Sequence, residues 1–205
     1  MEKRKYSTIV FDLGNVLLPF NHQNWVKNYN EIENGLGDRY YRKYLDNYLM
    51  HRDYEAGKIT DEEFITINLE WLENKIDAEK FCEMYSDIFS ANKDVIELLP
   101  KLKLNYNLVL LSNTSGIHKK FGWENNKFLE NFDELILSHE IGAVKPEEKI
   151  YRAVEKFTKQ PSETHIFIDD VLEYSEAAKS FGWDGIQFIG YDNLTEEFKS
   201  RGIKF

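Results

Sequence analysis

The stretch IVFDLGNVLLPF, residues 9–20, decides how the chain is read. Ile9, Val10 and Phe11 form a short apolar run of the kind that makes a buried strand. Asp12 stands at its end, and Gly14 lets the chain turn sharply. A carboxylate at the end of a buried strand costs free energy unless something pairs with it or uses it. It is either a turn or helix-capping aspartate, or a nucleophile or metal ligand. The rest of the chain has to decide.

Beyond this strand the pattern changes. Residues from about 20 to 90 are rich in aromatics and charges and hold no clear strand. TDEEFITINLEWL carries Thr60 and, three positions on, Glu63, which is a capping box. Phe64, Ile67, Trp71 and Leu72 then recur at helical spacing. DAEKFCEMYSDIF repeats the scheme, with Asp77 as N-cap and Phe81, Met84, Tyr85 and Ile88 on one face. YYRKYLDNYLMHRDY reads as a further helix.

From about residue 92 the chain alternates. DVIELLPKLK is helical, with Pro100 disturbing its last turn. NLVLLSN and ELILS are strands. PEEKIYRAVEKF is a helix with Pro146 in its first turn. HIFIDD is a strand, EYSEAAKSFG a helix closed by Gly182, and DGIQFIG a strand. Strands alternating with helices define an α/β fold, here a Rossmann-like, mainly parallel sheet flanked by helices. The helical block is then an insertion after the first strand. The expected division is a core of residues 1–18 and 91–205 and an α-helical cap of residues 19–90.

The 205 residues are 42% hydrophobic and 15% aromatic, which is material for a packed core. A net charge of −10 disfavours nucleic acid and anionic membrane surfaces, because the phosphate interaction is repulsive overall. The lone cysteine, Cys82, rules out an internal disulfide and a thiolate metal site, and its helical setting reads as buried filler. No apolar stretch approaches bilayer length, and the N-terminus lacks a signal-peptide pattern, so a cytoplasmic location is expected. A monomer or a homodimer is compatible with the sequence.

Ligands of parallel α/β sheets bind beyond the carboxyl ends of the strands. Asp12 ends the first strand. Ser112, Asn113 and Thr114 end NLVLL, and Asp169 and Asp170 end HIFI. Lys145 stands just before Pro146. Three carboxylates in one small pocket repel unless a cation joins them, and a hard divalent ion such as Mg²⁺ suits oxygen ligands. A lysine and a hydroxyl beside that ion make an anion site, and the set is equipment for phosphoryl transfer. Asp12 becomes a nucleophile able to form an aspartyl phosphate.

FDLGNVLL, LLSNTS, VKPEEKIY and FIDD together resemble, in order and spacing, the four motifs of the haloacid dehalogenase-like hydrolase superfamily. With YEAGKIT and SNTSGIH, the chain also resembles the bacterial branch similar to α-D-glucose-1-phosphate phosphatase. The resemblance implies Mg²⁺ dependence, a phosphorylated small-molecule substrate and a cap that closes over it. It implies Asp12 as nucleophile and metal ligand, and Gly14 as donor of a backbone carbonyl to the metal. It further implies Ser112 and Asn113 on the phosphoryl oxygens, Lys145 neutralising charge, Asp170 as the direct ligand and Asp169 as support.

Two departures carry information. Most phosphatases of the superfamily have a second aspartate, a general acid, where this chain has Gly14. Its absence favours a leaving group more acidic than an ordinary alcohol, and an anomeric sugar oxygen fits. Related sequences often carry Asn where Tyr174 stands. His118 is a candidate surrogate acid or a packing residue. Glu55 is a candidate contact to sugar hydroxyls or an exposed charge. His22, His51, His139 and His165 have no metal-site spacing. Two rival readings remain. One is a metal-independent 2-haloacid dehalogenase, and the other a phosphosugar-binding protein that has lost the chemistry.

Overall fold

The computed structural model describes residues 5–205. Five parallel strands form one sheet: β1 (Thr8–Phe11), β2 (Asn107–Ser112), β3 (Glu134–Leu137), β4 (His165–Asp169) and β5 (Asp184–Gln187). Their spatial order is β3-β2-β1-β4-β5. The chain therefore builds one side of β1 first and returns to build the other, which opens a crevice at the carboxyl end of β1. Phe11 pairs with Leu110 on one side and Ile168 on the other. This register sets Asp12, Ser112 and Asp169 at one sheet edge.

Both sheet faces are covered, which explains the nearly unbroken apolar strands. Ile9, Phe11, Leu108 and Leu110 pack with Leu99, Leu102, Leu194 and Phe198 on one face. Val10, Val109, Leu111 and Phe167 pack with Ile150, Tyr151, Val154 and Ala178 on the other. The covering helices include α7 (Leu99–Lys103), α9 (Glu148–Thr158), α10 (Leu172–Ser180) and α11 (Tyr191–Ser200); α6 (Lys93–Ile96) and α8 (Ser138–Ile141) are single turns.

Between β1 and β2 lie α1 (Gln23–Ile32), α2 (Leu36–Asp46), α3 (Tyr48–Glu55), α4 (Asp61–Trp71) and α5 (Ala78–Ser86). They gather round an aromatic cluster that includes Trp25, Tyr29, Tyr40, Phe64, Phe81 and Tyr85. The capping box at the head of α4 is complete: Thr60 Oγ1 accepts from the Glu63 N–H at 3.2 Å, and Glu63 Oε2 accepts from the Thr60 N–H at 2.9 Å. Asp77 caps α5 through the Lys80 N–H at 2.8 Å. The α1–α2 crossing is tight at Gly37, where a Cβ would lie 2.2 Å from the Val26 carbonyl oxygen.

Some expected elements differ. YYRKYLDNYLMHRDY breaks at Asn47 into α2 and α3, and DVIELLPKLK breaks into α6 and α7. Pro100 does not end a helix: it sits in the first turn of α7, where its missing N–H costs nothing. Pro146 precedes α9, which begins at Glu148, and the Lys145–Pro146 bond is cis. In α4 the buried inward position is Asn68, not Ile67; its amide bonds the Phe64 carbonyl at 2.7 Å and the Tyr40 hydroxyl at 2.8 Å. Among the described residues no helix is long and apolar enough to cross a membrane.

Candidate active site

Lys145 is the centre of the crevice. Its side chain is 1% exposed, and Nζ lies 2.7 Å from Asp12 Oδ1 and 2.6 Å from Asp169 Oδ2. The rings of Phe167 and Tyr174 lie 5.4 and 5.2 Å from the ammonium, close enough for cation–π attraction. The lysine is held by carboxylates, so the helix start that follows Pro146 is not what decides its position.

Asp169 is fully buried. Its Oδ2 meets Lys145, and its Oδ1 accepts from the Val171 N–H at 2.8 Å, so it also anchors the approach to α10. Asp170 is half-buried, and its Oδ2 accepts from Asn15 Nδ2 at 3.0 Å. Asn15 adopts a left-handed φ of +53°, a conformation Asn tolerates better than most residues. Asp12, Asp169 and Asp170 offer oxygens that all lie within 4.8 Å of one another. Among the described residues this is the one such group of three metal-ligating side chains.

One ammonium faces three carboxylates, and the electrostatics show it. Burial pushes the Asp12 carboxyl up to about 7; Lys145 works against this, and Asp169 adds to it. Burial also raises the Asp169 carboxyl against the pull of Lys145. Burial would lower the Lys145 ammonium, but Asp12 and Asp169 outweigh it and keep the lysine charged. A hard divalent cation fits this donor set, being all oxygen, close and short of positive charge.

The Gly14 carbonyl accepts from the Val16 N–H at 2.6 Å, which leaves it one lone pair. A Cβ on Gly14 would lie 3.0 Å from Phe20 Cε1, so a side chain here would have to displace the Phe20 ring. The Ser112 side chain is buried and lines the cavity, with only a long 3.4 Å contact from its Oγ to the Asn113 carbonyl. Asn113 has partners that the sequence did not show. Its side chain grips the Lys145 peptide: Oδ1 accepts from the Lys145 N–H at 2.7 Å and Nδ2 donates to the Lys145 carbonyl at 3.2 Å. Those bonds tie the side chain to the Lys145 peptide and leave one Nδ2 N–H uncommitted.

A cavity of about 350 Å³ extends from this edge to the helical block, whose wall includes Tyr48, His51, Arg52 and Glu55. Glu55 Oε1 lies 3.6 Å from His51 Nε2, and Oε2 lies 3.5 Å from Arg52 Nη1. Burial works to raise its carboxyl, but His51 and Arg52 outweigh it and keep the group ionised. His118 also lines the cavity, stacked on Tyr85 at 4.2 Å, with Nδ1 buried and unbonded. Burial holds its imidazole well below the usual range, so it is neutral and poorly suited to be the surrogate acid. Cys82 is buried, and burial pushes its thiol up to about 11, as befits packing.

Asn15 and Arg52 were not legible as site residues. Asn15 had one signal, a turn-tolerant residue directly after Gly14. Arg52 had none.

The sequence profile of the haloacid dehalogenase-like hydrolases matches residues 9–189. The chain belongs to that family. It is 26% identical over 190 residues to a D-ribitol-5-phosphate phosphatase from Bacteroides thetaiotaomicron, covering 87% of this chain and 90% of the relative. A magnesium complex of a haloacid dehalogenase family enzyme from the same organism superposes with a TM-score of 0.80 at 25% identity, over 96% of this chain and 100% of that one. A complex of that enzyme with magnesium and inorganic phosphate gives 0.78 at 25% identity, over 92% and 98%. An L-2-haloacid dehalogenase from Xanthobacter autotrophicus shares the fold, with a TM-score of 0.61 at 17% identity over 97% and 84%.

Proposed function

We propose that this hydrolase is a Mg²⁺-dependent phosphatase of small phosphomonoesters, acting on a sugar or sugar-alcohol phosphate. The observation that carries the reading is the Asp12–Lys145–Asp169 arrangement at a sheet edge facing a cavity of about 350 Å³. Asp12 attacks phosphorus; its oxygen–phosphorus bond forms as the ester bond to phosphorus breaks. The leaving oxygen takes a proton from water. A second water then attacks phosphorus, releasing phosphate and restoring Asp12. Lys145 orients Asp12 and offsets the charge on the transferring group. Ser112 faces that group, and Asn113 acts through the Lys145 peptide.

Asp12, Asp170 and the Gly14 carbonyl would hold the metal, with Asp169 in support. Both oxygens of Asp169 are engaged by protein donors, whereas Asp170 has one bonded to Asn15. Bound Mg²⁺ would supply positive charge beside the phosphoryl oxygens. Residues 19–90 serve as a cap over the core of residues 1–18 and 91–205, excluding bulk water and selecting the substrate.

With Gly14 in place of an acid and His118 neutral, an anomeric phosphate such as α-D-glucose 1-phosphate suits the site. The D-ribitol-5-phosphate phosphatase relative supports a sugar-alcohol phosphate instead. Phosphate release from α-D-glucose 1-phosphate, D-ribitol 5-phosphate and glucose 6-phosphate tests both, with Asp12→Asn as control. Release that needs Mg²⁺ and vanishes in the control supports the phosphatase, and the rates rank the substrates. Phosphate release that survives full chelation would sink the Mg²⁺-dependent reading, halide release from a 2-haloacid without metal would favour the dehalogenase, and binding without turnover the inactive binder.

A further inference from the structure

Arg52 is the cap residue whose contacts fall on the central lysine. Its guanidinium, carried on α3, is a planar fork of five donors. Nη2 donates to the Lys145 carbonyl at 3.0 Å, and Nη1 donates to the Tyr174 hydroxyl at 3.4 Å. Both contacts converge on Lys145. Its carbonyl also accepts from Asn113, so one peptide unit is gripped from the core and from the cap together. The Tyr174 ring lies over the Lys145 ammonium, 5.2 Å from its centroid. The guanidinium thus braces the lysine's backbone and the ring that covers its charge. Its remaining contact is to Glu55, 3.5 Å away on the cavity wall. These three contacts leave Nε–H and one Nη2 N–H uncommitted, and Arg52 also lines the cavity, so a direct contact to substrate is the rival role that the test must separate.

We propose that Arg52 is a positioning residue that couples cap placement to the seating of Lys145 between Asp12 and Asp169. The inference rests on the phosphatase reading. Tyr174, at a position where related sequences often have Asn, is the second half of the brace. Without Arg52 the lysine loses its cap-side hold, and turnover falls for every ester, whatever its alcohol.

The test is steady-state kinetics of the wild type, Arg52→Ala, Arg52→Lys and Tyr174→Phe on a sugar phosphate and on p-nitrophenyl phosphate, which has no hydroxyls for the cap to read. Arg52→Ala should lower kcat on both esters by roughly 10- to 100-fold, as small misplacements of reacting groups do, with KM changing far less. Arg52→Lys should recover only part, because an ammonium cannot serve both acceptors. Free guanidinium should partly rescue Arg52→Ala. Tyr174→Phe should cost less, and the double variant should fall short of the product of the two single losses. A KM rise confined to the sugar phosphate would make Arg52 a substrate-reading group and overturn the proposal. So would unchanged kinetics, or a loss that guanidinium leaves untouched and that adds fully to Tyr174→Phe. If thermal unfolding shows that Arg52→Ala does not fold, Arg52→Lys and Tyr174→Phe carry the same test. A wild type inert towards every ester overturns the phosphatase reading and this inference with it. An active wild type matched by Arg52→Ala overturns this inference alone.

Discussion

Lys145 is an ammonium with almost no water, held by two carboxylates that need it as much as it needs them. Replacing it with a neutral chain of similar size, Lys145→Met, strands two buried carboxylates. Loss of one partner from a buried ion pair costs about 3–5 kcal/mol. Urea unfolding of the metal-free protein should show a loss of that order, and adding Asp12→Asn should return part of it. An unchanged midpoint would mean that the carboxylates find other partners. His118 gives a second residue-level test. Burial depresses its imidazole, and His22 is likewise pushed down, to about 4. Between those folded values and the ordinary value of 6.5 the unfolded chain binds more protons, so stability rises with pH there and is lost as pH falls. His118→Phe, which keeps the stack on Tyr85, should flatten the fall in stability between about pH 7 and about pH 5. An equal slope in wild type and variant would contradict this. At this scale the strand-end residues were legible, because a polar residue ending an apolar run is visible locally. The use of Asn113 was not: its partner lies 32 residues away and is a backbone group. Arg52 meets its partner across 93 residues, and no local pattern marks it.

Helices were read from the sequence where a cap, a proline or glycine boundary, or a clear apolar spacing marked them; two of the longer ones, α1 and α11, were not read at all. α4 and α5 have Thr60 and Asp77 at their heads. α1 has no acidic residue in its first turn and α11 starts from Gly190. Their signals went unread: Asn21, whose Oδ1 accepts from the Gln23 N–H at 3.0 Å, and Asp192 in the first turn of α11. The breaks at Asn47 and before Leu99 were missed for a related reason: apolar spacing runs on across a short kink, so periodicity alone joins the pieces. Two substitutions probe these elements. Thr60→Ala removes one capping bond and should cost about 1 kcal/mol in thermal or chemical unfolding. Gly37→Ala should cost more, because its methyl would enter the Val26 backbone and force α1 from α2. If Gly37→Ala proved milder than Thr60→Ala, the tight crossing would not matter to stability.

Sheet order was the part of the whole molecule that the sequence withheld. Alternation indicated parallel strands, yet nothing local says that β4 rather than β3 lies beside β1. The order β3-β2-β1-β4-β5 brings Asp12 and Asp169 to neighbouring strand ends with Lys145 between them. Three aspartates meet here around one lysine, which leaves the pocket short of cations. Mg²⁺ should therefore stabilise the fold as well as support turnover. At a hundredfold excess over its dissociation constant, a ligand of the native state adds about 2.7 kcal/mol. A metal-dependent rise in unfolding temperature that Asp170→Asn abolishes would locate the ion, and no rise in the wild type would argue against the site. The most direct measurement is acid quenching of the protein within one turnover of a phosphate ester, with Mg²⁺, followed by mass spectrometry of its peptides. One phosphoryl group on the Asp12 peptide, absent from Asp12→Asn and from chelated protein, is the expected result. Phosphate release at full rate with no phosphoryl-enzyme, and with Asp12→Asn still active, would contradict Asp12 as the nucleophile.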